Sequence, residues 1–251
     1  MHSSKFCSKS SSLRATDIRR EPAHTWTNKP LEEHSMNSLE SVWEYREEVL
    51  YPQLFGSNAS GICVLTPEIF IDVFKQESFD PRWTHLGVQE FSPTASRPTW
   101  LYATSGGSTP WNVEPPEYNP DDYSWLGFEL VMEAPTQAPW AVNILLRLLA
   151  YNVLICHGRY GDIDPLDYGH RIPLGGPVMP GSSITHVMLA EPEHYPVTHT
   201  LASGKFDFLH AVGITTQERD YAKEHSSNEL LALLKQRGAF PLTEPLRASV
   251  V

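Results

Sequence analysis

Residues 99–130 read TWLYATSGGSTPWNVEPPEYNPDDYSWLGFEL. Two strand-like apolar runs are joined by a long loop that holds glycines, prolines, acids and aromatics, and the whole stretch has no basic residue. Residues 100–104 read as one strand. Farther on, Leu126, Phe128, Leu130 and Met132 alternate with Gly127, Glu129, Val131 and Glu133, the period-two pattern of a half-buried strand. Strands that open onto such a loop present a surface to a partner, whereas a reaction centre needs a nucleophile, a base and an orienting group brought together. The stretch therefore points to a binding module first and to an enzyme second.

Outward from this stretch, other elements follow the same logic. Leu39, Val42, Trp43, Val49 and Leu50 keep roughly helical spacing and predict an amphipathic helix that ends near Tyr51, before Pro52. Residues 62–65 predict a short strand between Gly61 and Pro67, and residues 68–74 fit either strand or helix. Behind Pro139, Val142, Leu145, Leu146, Leu149 and Val153 predict the best helix of the chain, packed on the sheet. A long Gly/Pro/Asp-rich connection over residues 158–182 follows, then strands over 184–189 and 206–212. Thr215 with Glu218, and Ser226 with Glu229, have the capping-box spacing and predict two short helices, the second stopping at Gly238. The strands and helices lack regular alternation, so the expected class is α+β, a mixed sheet with helices packed on it.

Residues 1–35 are rich in Ser, Lys, Arg and Thr without an apolar period, and read as a disordered tail, or as the product of a start codon assigned upstream of Met36. The domain is expected over residues 36–240, with an irregular C-terminal segment over 241–251. The net charge of −11 is uneven: residues 1–35 carry six Lys/Arg against four Asp/Glu, which leaves thirteen against twenty-six in the rest. An acidic body repels phosphate backbones and anionic lipid, so neither nucleic acid nor a membrane is expected as a partner, and a basic protein is. Cys7, Cys63 and Cys156 make no disulfide framework and no CxxC pair, which fits a reducing, cytoplasmic setting. Residues 140–156 are interrupted by Asn143, Arg147 and Asn152, so no membrane span is expected there, and the N-terminus has no apolar signal segment.

Three chemical readings compete with binding. The run from Ala103 to Gly107 is a relaxed nucleophile elbow with Ser105 at its centre, but Pro110, Pro115 and Pro116 exclude the helix that must follow. His157, His170, His186, His194, His199 and His210 crowd near Asp162, Asp164 and Asp167 without any H-x-x-x-H, H-E-x-x-H or H-x-H pair, so no metal is expected. Gly175-Gly176 is followed by neither a Lys-Ser/Thr pair nor a helix start, which removes a phosphate loop, and no cofactor is expected. A hydrolase using Ser105 or a His/Asp centre stays as the alternative. In the loop, Trp111, Glu114, Tyr118, Asp121 and Asp122 are the expected contacts: rings supply area and carboxylates select a basic segment. The competing reading is a solvated loop whose aromatics fold back onto the core.

Several runs in register carry a resemblance. Residues 100–108 (WLYATSGGS), 127–130 (GFEL), 139–141 (PWA) with 148–151 (LLAY), Gly169-His170, 186–191 (HVMLAE) and 208–215 (FLHAVGIT) resemble the Suppressor of Fused domain family over about residues 39–238. The resemblance implies a non-enzymatic domain that grips a peptide of a partner protein. It also implies that this chain ends where the second domain of the animal proteins would begin, so it looks like the short bacterial form, which includes immunity proteins of polymorphic toxin systems. An acidic binder suits a basic toxin. Two departures, Asn152 after Tyr151 and the content of the 108–124 loop, imply a partner specific to this chain.

Overall fold

A computed structural model of the chain describes residues 39–251, and the expected disordered tail and the choice between Met1 and Met36 lie outside them. Eight strands form one mixed sheet: β1 (Asn58–Val64), β2 (Gly87–Phe91), β3 (Trp100–Ser105), β4 (Tyr123–Ala134), β5 (Arg171–Pro173), β6 (Ile184–Ala190), β7 (Thr198–Leu201) and β8 (Gly204–Thr215). Their order is β1-β2-β3-β4-β8-β6-β5, with β7 beside the first half of β8. Among these strands, only the β4–β8 pair runs parallel. A parallel pair needs a long return connection, and helix α3 (Pro139–Cys156) makes its first leg.

The sheet is covered on both faces, which makes the fold α+β as expected. Phe128, Leu130 and Met132 of β4, with Leu209 and Ala211 of β8, point toward α3 and its buried Leu145, Leu149 and Val153. The opposite face has two separate covers. Val131, Phe206 and Phe208 meet the N-terminal helices, and Val212 and Ile214 meet α4 (Thr216–Glu224) and α5 (Ser227–Gln236). This corrects the half-buried reading of β4, since Glu129 and Glu133 on its supposed solvent face are both buried. The period-two pattern identified the strand, but polar residues mark a solvated face only when nothing covers it.

Helix α3 also departs from expectation. Its 18 residues and mean hydropathy of 1.5 suffice in length and composition to cross a membrane, yet 67 % of it is buried within the domain, as in a core helix. Asn152, which breaks its apolar run, is fully buried: its Oδ1 accepts the Leu166 amide at 2.7 Å and ties the following loop to the helix. Strands β2, β5 and β7 were not anticipated, and residues 69–73, ambiguous by period, form a π-helical turn.

The N-terminal helix is a composite. Helix α1 (Leu39–Glu44) widens into a π-helical stretch over Tyr45–Leu50 and tightens again into α2 (Tyr51–Phe55). The Tyr51 amide donates to Arg46 O, the i→i−5 bond of a π-helix. This register turns both Arg46 and Tyr51 inward, at 1 % and 0 % exposure.

The last residues, 239–251, form no helix or strand, but they are strapped across the third cluster. Arg247 donates from both terminal nitrogens to Glu218, at 2.5 and 2.7 Å, and also to Gly213 O at 2.9 Å. Glu218 serves twice, because it closes the capping box of α4 with Thr215 and accepts the Val250 amide. Burial alone would raise the Glu218 carboxyl, but the guanidinium and the amides outweigh it and hold the group below its ordinary value. A lowered carboxyl stabilises the fold above the unfolded-state value and loses that contribution as pH falls through the folded one. Glu218→Gln is therefore expected to lower the Tm at pH 7, and the gap to the wild type is expected to close as pH falls below the ordinary carboxyl value of 4.5. Thermal melts of both chains between pH 7 and pH 3 measure this, and a gap independent of pH would contradict it.

Candidate functional site

The loop over residues 106–122 leaves β3 and returns as β4, and it is built on a buried carboxylate. Glu129, fully buried on β4, accepts four hydrogen bonds at its two oxygens. Thr104 Oγ1 donates to one oxygen at 2.6 Å, and the Gly106 amide, the Ser108 amide and Ser108 Oγ converge on the other at 3.0, 2.9 and 2.7 Å. Thr104 Oγ1 in turn accepts the Leu130 amide at 2.8 Å. The SGGS run is therefore a carboxylate-binding turn. Gly106 adopts a φ of +132°, strained for any side chain, and a Cβ there would stand 2.7 Å from Leu86, while a Cβ on Gly107 would stand 2.3 Å from Phe128 O and displace the strand.

Arg46 closes the cage from the π-helical stretch. Its Nη1 donates to Ser108 Oγ at 3.0 Å and Thr109 Oγ1 at 3.1 Å and lies 3.7 Å from Glu129, and its Nη2 donates to Ser105 Oγ at 2.8 Å and Glu47 at 3.0 Å. Ser105 Oγ donates to Glu47. Tyr51 OH donates to Thr104 O at 2.6 Å, and burial, followed by the nearby Glu129, pushes its phenol well above the ordinary value. Ser105, the expected nucleophile of the alternative reading, is 1 % exposed, and its hydroxyl partners are Arg46 and Glu47, with no histidine among them.

Above this base the expected contacts divide by type. Glu114, Asp121 and Asp122 are exposed, with the Asp121 side chain 92 % accessible and 3.5 Å from Lys205 Nζ, and Asp122 accepting from Asn119 Nδ2 at 2.8 Å. Trp111 and Tyr118 are half-buried, so these two aromatics are partly withdrawn from solvent. Tyr118 packs against the cluster under the N-terminal helix, and burial, then Glu114, raises its phenol. Trp111 joins a surface patch that the sequence reading missed: its ring lies 5.7 Å from Trp43 and 6.2 Å from His85, with the Arg82 guanidinium 5.8 Å above it. Trp43 is locked by its indole N–H donating to Thr109 Oγ1 at 3.1 Å. The five residues thus lie along one segment but in different surroundings: Trp111 beside α1, Tyr118 on the core, and Asp121 beside the start of β8.

The histidines do not converge. His210 is buried and bonded through Nε2 to Pro241 O at 2.8 Å, His157 sits between Trp83 and Trp125, and His199 packs on Phe206 and Phe208. Among the described residues, no three His, Cys, Asp or Glu side chains are placed to hold a metal ion. A separate concavity of about 590 Å³ lies between α3 and residues 172–178.

The sequence model of the family described as Suppressor of fused protein (SUFU) matches residues 82–248. Among solved structures, a Suppressor of Fused homologue from Neisseria gonorrhoeae superposes with a TM-score of 0.58 at 19 % identity, over 83 % of this chain and 97 % of that one. A chain of the Sufu–Fu complex superposes with a TM-score of 0.58 at 17 % identity, over 86 % and 93 %. No curated protein sequence matches the chain.

Removing Arg46 leaves the Glu129 carboxylate buried without its cation, and loss of one partner of a buried pair costs about 3–5 kcal/mol. Arg46→Met is expected to destabilise the chain on this scale, and Ser105→Ala by about 1.5–3 kcal/mol, the loss of hydrogen bonds to the charged groups of Arg46 and Glu47. Urea unfolding of both variants measures this, and an Arg46→Met chain as stable as the wild type would remove the cage from the account.

Proposed function

Because this chain belongs to the Suppressor of Fused family, we propose that it acts by stoichiometric binding of a partner protein, as a cytoplasmic immunity protein that neutralises a basic toxin. The observation that carries this reading is the acidic loop itself: exposed Glu114, Asp121 and Asp122 stand on a base fixed by the Glu129 cage. A surface held in place before binding loses little conformational freedom when it docks. Its carboxylates speed encounter with a basic partner and reject an acidic one. Trp111 and Tyr118, both half-buried, supply the apolar anchors. The fold is shared with a chain solved as the Sufu–Fu complex, which supports a protein as the partner. The commitment of Ser105 to Arg46 and Glu47 supports occupancy over turnover.

Asp121→Lys with Asp122→Lys is expected to lower the affinity for a basic protein captured by the tagged chain by about tenfold, chiefly through the association rate and less so at high salt. The fold is expected to be unchanged, because both side chains are exposed. Surface plasmon resonance at two salt concentrations, beside thermal melts, is the measurement. An unchanged association rate would take this loop out of the interface.

A further inference from the structure

On the α3 face of the sheet, the 590 Å³ concavity is a groove with aromatic walls and one charge. Phe74 and Tyr151 stack at 6.2 Å in its wall, and Trp140 lines it as well. Asn143, Arg147 and Tyr151 follow at four-residue spacing and form the row of α3 that faces the groove. Arg147 stands in the middle of that row. It is exposed, and among the described residues it has no hydrogen bond or ion pair. Across from it lie Gly175 and Gly176, where an added Cβ would meet nothing within 4 Å, so the facing backbone is open to an occupant. No acidic residue lines the groove, although the chain as a whole carries −11.

A single unpaired guanidinium between aromatic walls suits one kind of ligand group. Arginine presents a planar fork that matches a carboxylate with two parallel bonds, and low-polarity walls strengthen that match. The rings take an apolar neighbour of the same carboxylate. We propose that this groove holds an extended apolar segment of a partner protein that carries one acidic side chain, with Arg147 as the residue that selects the charge. The proposal rests on the protein-binding reading above but uses a second surface of opposite sign. An extended segment fits better than a small molecule because Asn143, Arg147, Pro173, Gly175 and Pro177 along the groove are exposed, whereas small-molecule pockets enclose most of their ligand.

The test is selection of a random heptapeptide phage library on the full chain in three forms: wild type, Arg147→Glu, and Asp121→Lys with Asp122→Lys. The wild type is expected to select a class with one Asp or Glu beside an aromatic or aliphatic residue. Synthetic peptides of that class are expected to bind about tenfold or more weakly to Arg147→Glu and Arg147→Gln, as loss of a charge-assisted bond implies, and equally well to the loop variant. Arg147 is exposed, so unchanged thermal melts are expected for its variants. Absence of the acidic class on the wild type overturns the proposal. An acidic class unaffected by the Arg147 variants overturns it as well, while the loop reading stands or falls separately on whether basic peptides are lost in the Asp→Lys chain. Saturable binding of indole-3-acetate without any acidic peptide class would make the occupant a small acid and also overturn it.

Discussion

A carboxylate with no access to water dominates this structure. Glu129 lies in the middle of the sheet, and moving such a group out of water is costly unless its charge and lone pairs are matched. The chain matches them by bending residues 104–108 around it, with two amides and two hydroxyls as donors, and by turning Arg46 inward from the N-terminal helix. The π-helical stretch, the paired glycines and the serines on either side of them all serve this arrangement. The cage also binds three elements distant in sequence, so the base of the acidic loop, β4 and the first helix are expected to move together or not at all.

From that constraint the division of the loop follows. Near the cage, its residues are buried and hydrogen-bonded, and beyond Trp111 it runs over the surface with its acids exposed. A fixed base under a charged rim is what recognition by occupancy requires, since the carboxylates can steer a partner only if they stay at the surface. Trp43 and His85 widen this rim with aromatic surface, and Arg82 over Trp111 shows that the patch already accommodates a cation. The groove beside α3 adds a face of opposite character, apolar with one positive charge.

Much of the fold was legible in the residues. The alternation after Leu126 became a strand although both its faces are buried, the apolar face behind Pro139 became a core helix, and the capping box at Thr215 and the N-cap at Ser226 each start the helix they predict. The misses share a physical cause. Strand β2, with the sequence GVQEF, is buried along its full length with Gln89 and Glu90 included, so no apolar alternation marks it. Glu129 read as solvent-facing because its partners, Arg46 and Ser108, lie far from it in sequence and no local spacing discloses a cage. Of the candidate site, the acids of the loop could be placed from sequence, but the company of Trp111 could not, since Trp43 and His85 reach it only through the tertiary fold. Asn143 and Arg147 were visible as interruptions of an apolar helix, and only the structure shows that they face a groove with Tyr151.

The central claim is that the cage makes the base of the loop rigid while its rim stays open. Amide hydrogen exchange of the free chain tests this most directly. The account predicts that the Gly106 and Ser108 amides, donated to Glu129, exchange as slowly as the amides in the centre of β4, and that the amides of residues 112, 114 and 119 exchange far faster. Exchange of Gly106 and Ser108 at the rate of the rim would contradict it.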